Sequence, residues 1–203
     1  MPIAAIPPSE LVALLIATSF AAGLNVYATL LTLGLLAHAG LLPLPPALQL
    51  VSNWYVIAAS GVMFGIEFFA DKIPAFDLLW NALHTFIRIP IAGLLAYGAT
   101  AALSPSEQLI ATLAGGAIAL AAHGGKTAVR AAVTPSPEPF SNITLSLGED
   151  GLAIFLTWFA TQHPYGAIAI VGVLLAVIVV LARWVVRSLR RLFRGAEREL
   201  AKP

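Results

Sequence analysis

The chain alternates long apolar runs with short polar or proline-rich segments, and several runs are long enough to cross a membrane. The first begins after Pro7-Pro8-Ser9-Glu10, where Ser9 can cap a helix and Glu10 suits the positive end of its dipole. It extends over residues 10–39. At about 1.5 Å per residue it exceeds the ~30 Å hydrocarbon core of a bilayer. A tilt, or a break at Gly23–Asn25, would absorb the excess. Asn25 reads as an interhelical hydrogen-bonding residue.

A segment with Pro43, Pro45 and Pro46 and no charge follows. Trp54 and Tyr55, an expected interfacial pair, open the second span, residues 54–72. Residues 75–88 change the pattern: Asp77, Asn81, His84 and Arg88 recur at helical spacing against Phe76, Leu79, Trp80 and Leu83. This is an amphipathic helix, lying on the membrane surface or folded into the bundle. The third span, 90–103, is short. The fourth, 105–130, begins at the Ser104-Pro105-Ser106-Glu107 helix start. Ser146–Glu149 reads as a second capping box, opening a short fifth span, 146–162. His163-Pro164 breaks the chain before the sixth span, 165–187, and a basic tail, 188–203, follows.

Charged residues make up 10% of the 203 residues and hydrophobic ones 59%, with mean hydropathy +0.89. A soluble domain carries about 25% charged residues. The expected fold is therefore an all-α polytopic helical membrane bundle. It forms one integral membrane domain of about six transmembrane helices plus one amphipathic helix. The lack of Cys removes disulfides and thiolate chemistry. The N-terminus lacks the basic stretch of a secretory signal, so the first helix is expected to stay in the mature protein.

No Lys or Arg precedes Lys72. If the C-terminal Arg cluster is cytoplasmic and six crossings are counted back, all 11 Lys and Arg fall on that side. Both termini of an inner (plasma) membrane protein are then cytoplasmic. The basic extension is expected to hold anionic lipids, at about 1 kcal/mol per charge. Gly61 and Lys72 are spaced as Gly115 and Lys126 are, which suggests a parallel two-hairpin repeat. The short third and fifth spans suggest a homo-oligomer that covers their flanks.

Glu67 stands out, because a charge in the bilayer centre costs about 3 kcal/mol or more unless it is partnered. Asp71 shares its helix face one turn on, and Lys72 follows. His123, Lys126 and Arg130 lie at comparable depth on the fourth span. A Glu67–His123 pair would make a proton relay, or an ion pair that only fixes packing. Lys72, Arg88, Lys126 and Arg130 would attract an anionic solute or lipid headgroup. The expected polar cluster is thus Glu67, Asp71, Lys72, His123, Lys126, Asn25, Asp77, His84, Arg88 and Arg130. No metal-ligand spacing, phosphate loop or nucleophile elbow accompanies it, and no aromatic-interleaved basic surface for nucleic acid. No cofactor, metal or enzymatic reaction is expected. The expected function is a small transporter or permease of unidentified solute. The competing expectation is a structural protein whose polar residues only lock helix packing.

Three segments, SFAAGLNVYATLLTLGLL (19–36), EFFADKIPAFDLLWNALHTFIR (67–88) and SNITLSLGED (141–150), resemble the hallmark segments of a bacterial membrane family catalogued as domain of unknown function 4126. The resemblance covers nearly the whole chain and implies a small multi-span membrane protein, with no activity attached. Ala70-Asp71-Lys72 is also similar to the acidic motif of cation exporters of uncharacterised family sixteen. That family repeats the acid in its second half, where this chain reads AHGGK (122–126).

Overall fold

The structure, a computed structural model, describes residues 7–133 and 139–200, apart from scattered side chains that include Asp77 and those beyond Arg187. Among the described residues seven α-helices carry the fold: α1 (Pro8–Leu24), α2 (Val26–His38), α3 (Trp54–Ala70), α4 (Pro74–Ala99), α5 (Pro105–Val133), α6 (Pro139–Gln162) and α7 (Pro164–Leu200). Proline is the first residue of α1, α4, α5, α6 and α7, a position where its missing N–H leaves no intrahelical bond unmade. Asparagine caps the other two: Asn25 Oδ1 accepts from Ala28 N at 2.9 Å, and Asn53 Oδ1 from Tyr55 N at 2.9 Å. A short 3-10 helix, Pro46–Ser52, leads into α3 at an angle of 59°.

Four helices, α4 to α7, contain stretches long and apolar enough to cross a membrane, and α3 with its 3-10 lead-in makes up to a fifth. Neither α1, with 17 residues, nor α2, with 13, reaches the ~20 that a crossing needs. They fold against each other instead. Leu11, Leu14 and Thr18 of α1 share a cavity wall with Leu33 of α2, and with Pro43, Pro45 and Ala99. Ser9, at the start of α1, bonds Tyr165 Oη at 2.9 Å, beside the α6–α7 turn. His38, at the end of α2, contacts Trp54 at the start of α3. Both ends of the α1–α2 pair thus lie on one side of the bundle, and its tip at Asn25 lies deep inside. The first apolar run is a re-entrant hairpin.

This overturns the single crossing expected over 10–39, and with it the six crossings. Four helices long enough to cross stand where six were expected, or five if α3 and its 3-10 lead-in make one span. The positive charges still gather at one end, because neither α1 nor α2 carries Lys or Arg.

Two further boundaries move. The amphipathic helix expected at 75–88, on the surface or folded into the bundle, takes the second course: with the short span at 90–103 it forms one helix, α4, running through Pro90. A proline inside a membrane helix is tolerated where neighbouring groups and local adjustment re-satisfy the freed backbone. The helix that carries the fifth expected span begins at Pro139 and its apolar stretch at Ile143, so Ser146–Glu149 is helix interior and not a cap. With α4 at 26 and α6 at 24 residues, the shortness that suggested a homo-oligomer is gone.

The hairpin packs through small residues. Ala17, Ala21, Leu24 and Ala28 meet Ala122 of α5, Ala153, Leu156 and Ala160 of α6, and Ala167 and Val171 of α7. A Cβ on Gly23 would sit 2.8 Å from Ala122 Cβ and against the Ala119 carbonyl, so only glycine lets α1 approach α5 this closely. Outside this core, large apolar side chains such as Val62, Phe69, Phe86, Leu113 and Val180 are exposed, as lipid-facing surfaces are.

Candidate functional site

The hairpin tip ends in a buried ionic cluster. α1 stops because Asn25 is extended, with φ −149° and ψ 104°, and this one residue reverses the chain. An unwound residue at this depth is tolerated only where protein surrounds it, and Asn25 is fully buried. Its backbone N–H still bonds Ala21 O, its Oδ1 caps α2, and its Nδ2 donates to Asp150 Oδ1 at 2.8 Å.

Four helices and the turn after α3 bring charge to this tip. Lys126 of α5 donates to the Leu24 carbonyl at 3.1 Å, where the negative end of the α1 dipole points. The same ammonium lies 3.3 Å from Asp71 Oδ2, 3.3 Å from Glu149 Oε2 and 3.6 Å from Glu67 Oε1. It sits among oxygens as a bound monovalent cation would. Arg130, one turn on, bridges Asp71 Oδ2 at 2.8 Å and Glu149 Oε2 at 2.9 Å through Nε. Arg88 of α4 pairs with Glu67 and donates to Asn81 Oδ1 at 3.0 Å. Glu67, Arg88 and Arg130 are among the largest fully buried side chains of the molecule.

His123 joins through Arg88, not through Glu67. Arg88 donates to His123 Nδ1 at 2.8 Å, and a guanidinium has no acceptor to offer in return. Nδ1 therefore carries no proton, the ring is neutral, and Nε2–H donates to Thr85 Oγ1 at 2.8 Å. The direct Glu67–His123 pair expected from the sequence is replaced by a Glu67–Arg88–His123 chain. A cation takes the position between carboxylate and imidazole because Arg88 lies inside the span rather than on a surface helix. His84 bonds the Trp80 carbonyl through Nδ1 at 2.8 Å and Tyr27 Oη through Nε2 at 3.1 Å, so it lines the flank of the cluster.

Of the residues singled out in the sequence, Asn25, Glu67, Asp71, His123, Lys126, Arg88 and Arg130 meet here, with His84 beside them. Lys72 does not: its ammonium bonds the Phe68 carbonyl at 2.7 Å and lies over the Phe68 ring. It is not placed as Lys126 is, so the matched spacing does not mark equivalent sites. The Asp77 side chain, like those of the tail arginines 190, 191 and 194, lies outside the described residues. Glu149 and Asp150 are not among the residues expected in the cluster, because Glu149 falls in the segment that reads as a capping box and Asp150 follows it directly. Their signal was the one that marked Glu67: acids inside the apolar stretch Ile143–Gln162.

The arrangement is closed. Asp71, Lys126 and His123 are each under 5% exposed and Glu67 not at all. The clefts between α1, α2 and α4 and between α4 and α5 are lined by other, mainly apolar residues. Among the described residues, no three His, Asp or Glu side chains gather as metal donors. Outside the spans, burial pushes the Asp71 carboxyl up. The Lys126 and Arg130 charges outweigh burial and hold it below the ordinary carboxylate range.

Fold and site together define a multi-pass helical membrane protein with a re-entrant hairpin on a buried ionic core. Residues 12–184 match the family described as Domain of unknown function (DUF4126), and the chain belongs to it. No curated protein and no solved structure matches the chain.

Proposed function

We propose that the protein is a small transporter or permease of the inner membrane, with its basic side cytoplasmic. The observation that carries this reading is the unwound tip at Asn25, which brings two helix ends to an ionic cluster buried throughout except at Glu149, whose side chain is 12% exposed. In transporters, solutes and coupling ions bind at such interrupted helices. Charges this deep are costly to bury, and a mere packing role is served as well by apolar residues. The closed geometry fits an occluded state, in which movement of the α1–α2 hairpin would open a path to the cluster. The three buried cations already face carboxylates, so the reading does not require an anionic solute.

Proteoliposomes loaded with a fluorescent pH indicator and challenged with gradients of inorganic ions and amino acids test this. Solute-dependent flux is expected from the wild type. Glu67→Gln, although less stable, is expected to stay monodisperse at the assay temperature and to lose this flux, whereas Asp150→Asn, which breaks no ion pair among the described residues, gives a second variant for the same comparison. Glu67→Gln that leaves flux intact, or a wild type silent across the panel, overturns the reading in favour of a packing role.

A further inference from the structure

The cluster holds three cations, Arg88, Lys126 and Arg130, and four carboxyls, Glu67, Asp71, Glu149 and Asp150. Glu67, Asp71 and Glu149 each make an ion pair. Among the described residues Asp150 makes none. It is 4% exposed, its Oδ1 accepts one bond from the neutral amide of Asn25, and its buried Oδ2 has no partner. Ser146, one turn earlier on the same face of α6, is fully buried, and its Oγ is also without a partner. An ionised carboxylate in this position would be a buried charge with a single hydrogen bond, an arrangement proteins avoid.

We propose that Asp150 is the proton-binding site of the protein. Its carboxyl carries a proton while the hairpin tip is closed on it. When the tip moves and water enters, it releases that proton from Oδ2 to the water. The inference rests on the transport reading and names its coupling ion. Charge count supports it: with Asp150 protonated, three cations face three carboxylates and the sealed cluster is neutral. Geometry supports it too, because the one partner of Asp150 is Asn25, the residue that unwinds the hairpin. Movement of the tip therefore changes the surroundings of this carboxyl before those of any other.

The groups facing Asp150 are few. From α5 comes Lys126, from α3 and its turn Glu67, Asp71 and Lys72, and from the α1–α2 tip Asn25. Arg130 and Glu149 complete the cluster beside it. The facing stretches of α1, α2 and α7 carry no charged side chain between Leu11 and Ala37 or between Pro164 and Ala182. Proton binding by Asp150 is therefore set by two cations, Lys126 within the cluster and Lys72 at its edge, on one side and two carboxylates on the other.

Infrared spectroscopy of the full chain in lipid nanodiscs tests this apart from transport. At neutral pH the wild type is expected to show a protonated-carboxyl C=O stretch that shifts when aspartate alone is isotopically labelled. The chain has only three aspartates, Asp71, Asp77 and Asp150, and labelling needs no variant to fold. The band should vanish in Asp150→Asn and persist in Glu67→Gln. A missing band, or one that survives Asp150→Asn, overturns the proposal. A band present in a protein without solute flux overturns the transport reading and leaves the proton site standing.

Discussion

The Lys126 ammonium donates to the Leu24 carbonyl, the last of α1, at 3.1 Å, and so ties the hairpin tip to α5. The same group faces Glu67, Asp71 and Glu149. Lys126→Met would leave three carboxylates short of a cation in a sealed space. Removing one partner of a buried ion pair costs about 3–5 kcal/mol. Thermal unfolding in detergent should show a loss of that order, or protein that no longer elutes as one species. An unchanged transition would mean that the ammonium is not where the hairpin is held.

Glu67 and Arg88 are both fully buried and paired with each other. Glu67→Gln and Arg88→Met should each destabilise by several kcal/mol, about 3–5. The double substitution should lose clearly less than the sum, since neither charge is left alone. Strict additivity in this cycle would show the two to be independent.

The re-entrant hairpin is open to a direct labelling test, because the chain contains no Cys. Single cysteines at Ser9, Ala39, Ser104 and Arg187, all exposed, can be labelled with a membrane-impermeant maleimide in intact cells. Ser9→Cys and Ala39→Cys should react from the same side as Ser104→Cys and from the side opposite Arg187→Cys. Reaction of the first two from opposite sides would mean that the first apolar run crosses the membrane.

Glycine at position 23 is a matter of space. Gly23→Ala would drive a methyl into the Ala119 carbonyl and Ala122, both on the rigid body of α5. Overpacking of this kind costs about 1–3 kcal/mol. Gly65→Ala, with nothing within 4 Å of the added carbon, should leave the unfolding temperature nearly unchanged. Equal effects of the two would count against the close approach of α1 and α5.

Asp71 sets an acid limit on stability. Its folded-state affinity for a proton is below that of the unfolded chain, because Lys126 and Arg130 outweigh its burial. Its contribution is therefore complete above the unfolded carboxylate value of about 4 and is lost as pH falls through its lower folded value. Unfolding temperature should decline steeply in that acid window, and Asp71→Asn should flatten the decline. A variant with the same acid slope as the wild type would assign the loss to other carboxylates.

Composition and the run of apolar segments by themselves determined that this is a helical membrane protein. The rule against lone intramembrane charges, applied to single positions, marked Glu67, Lys126 and Arg130, and applied to residues 143–162 it would have marked Glu149 and Asp150. Those readings are local, since they need only the cost of one residue in hydrocarbon. Tertiary structure decided whether the first run crosses or returns. An apolar stretch looks the same either way, and with no Lys or Arg in it the positive charges cannot report its direction. It also decided that Arg88, not His123, meets Glu67: a proline at position 90 reads as a boundary, and only packing against neighbouring helices lets α4 run through it and carry the guanidinium into the core.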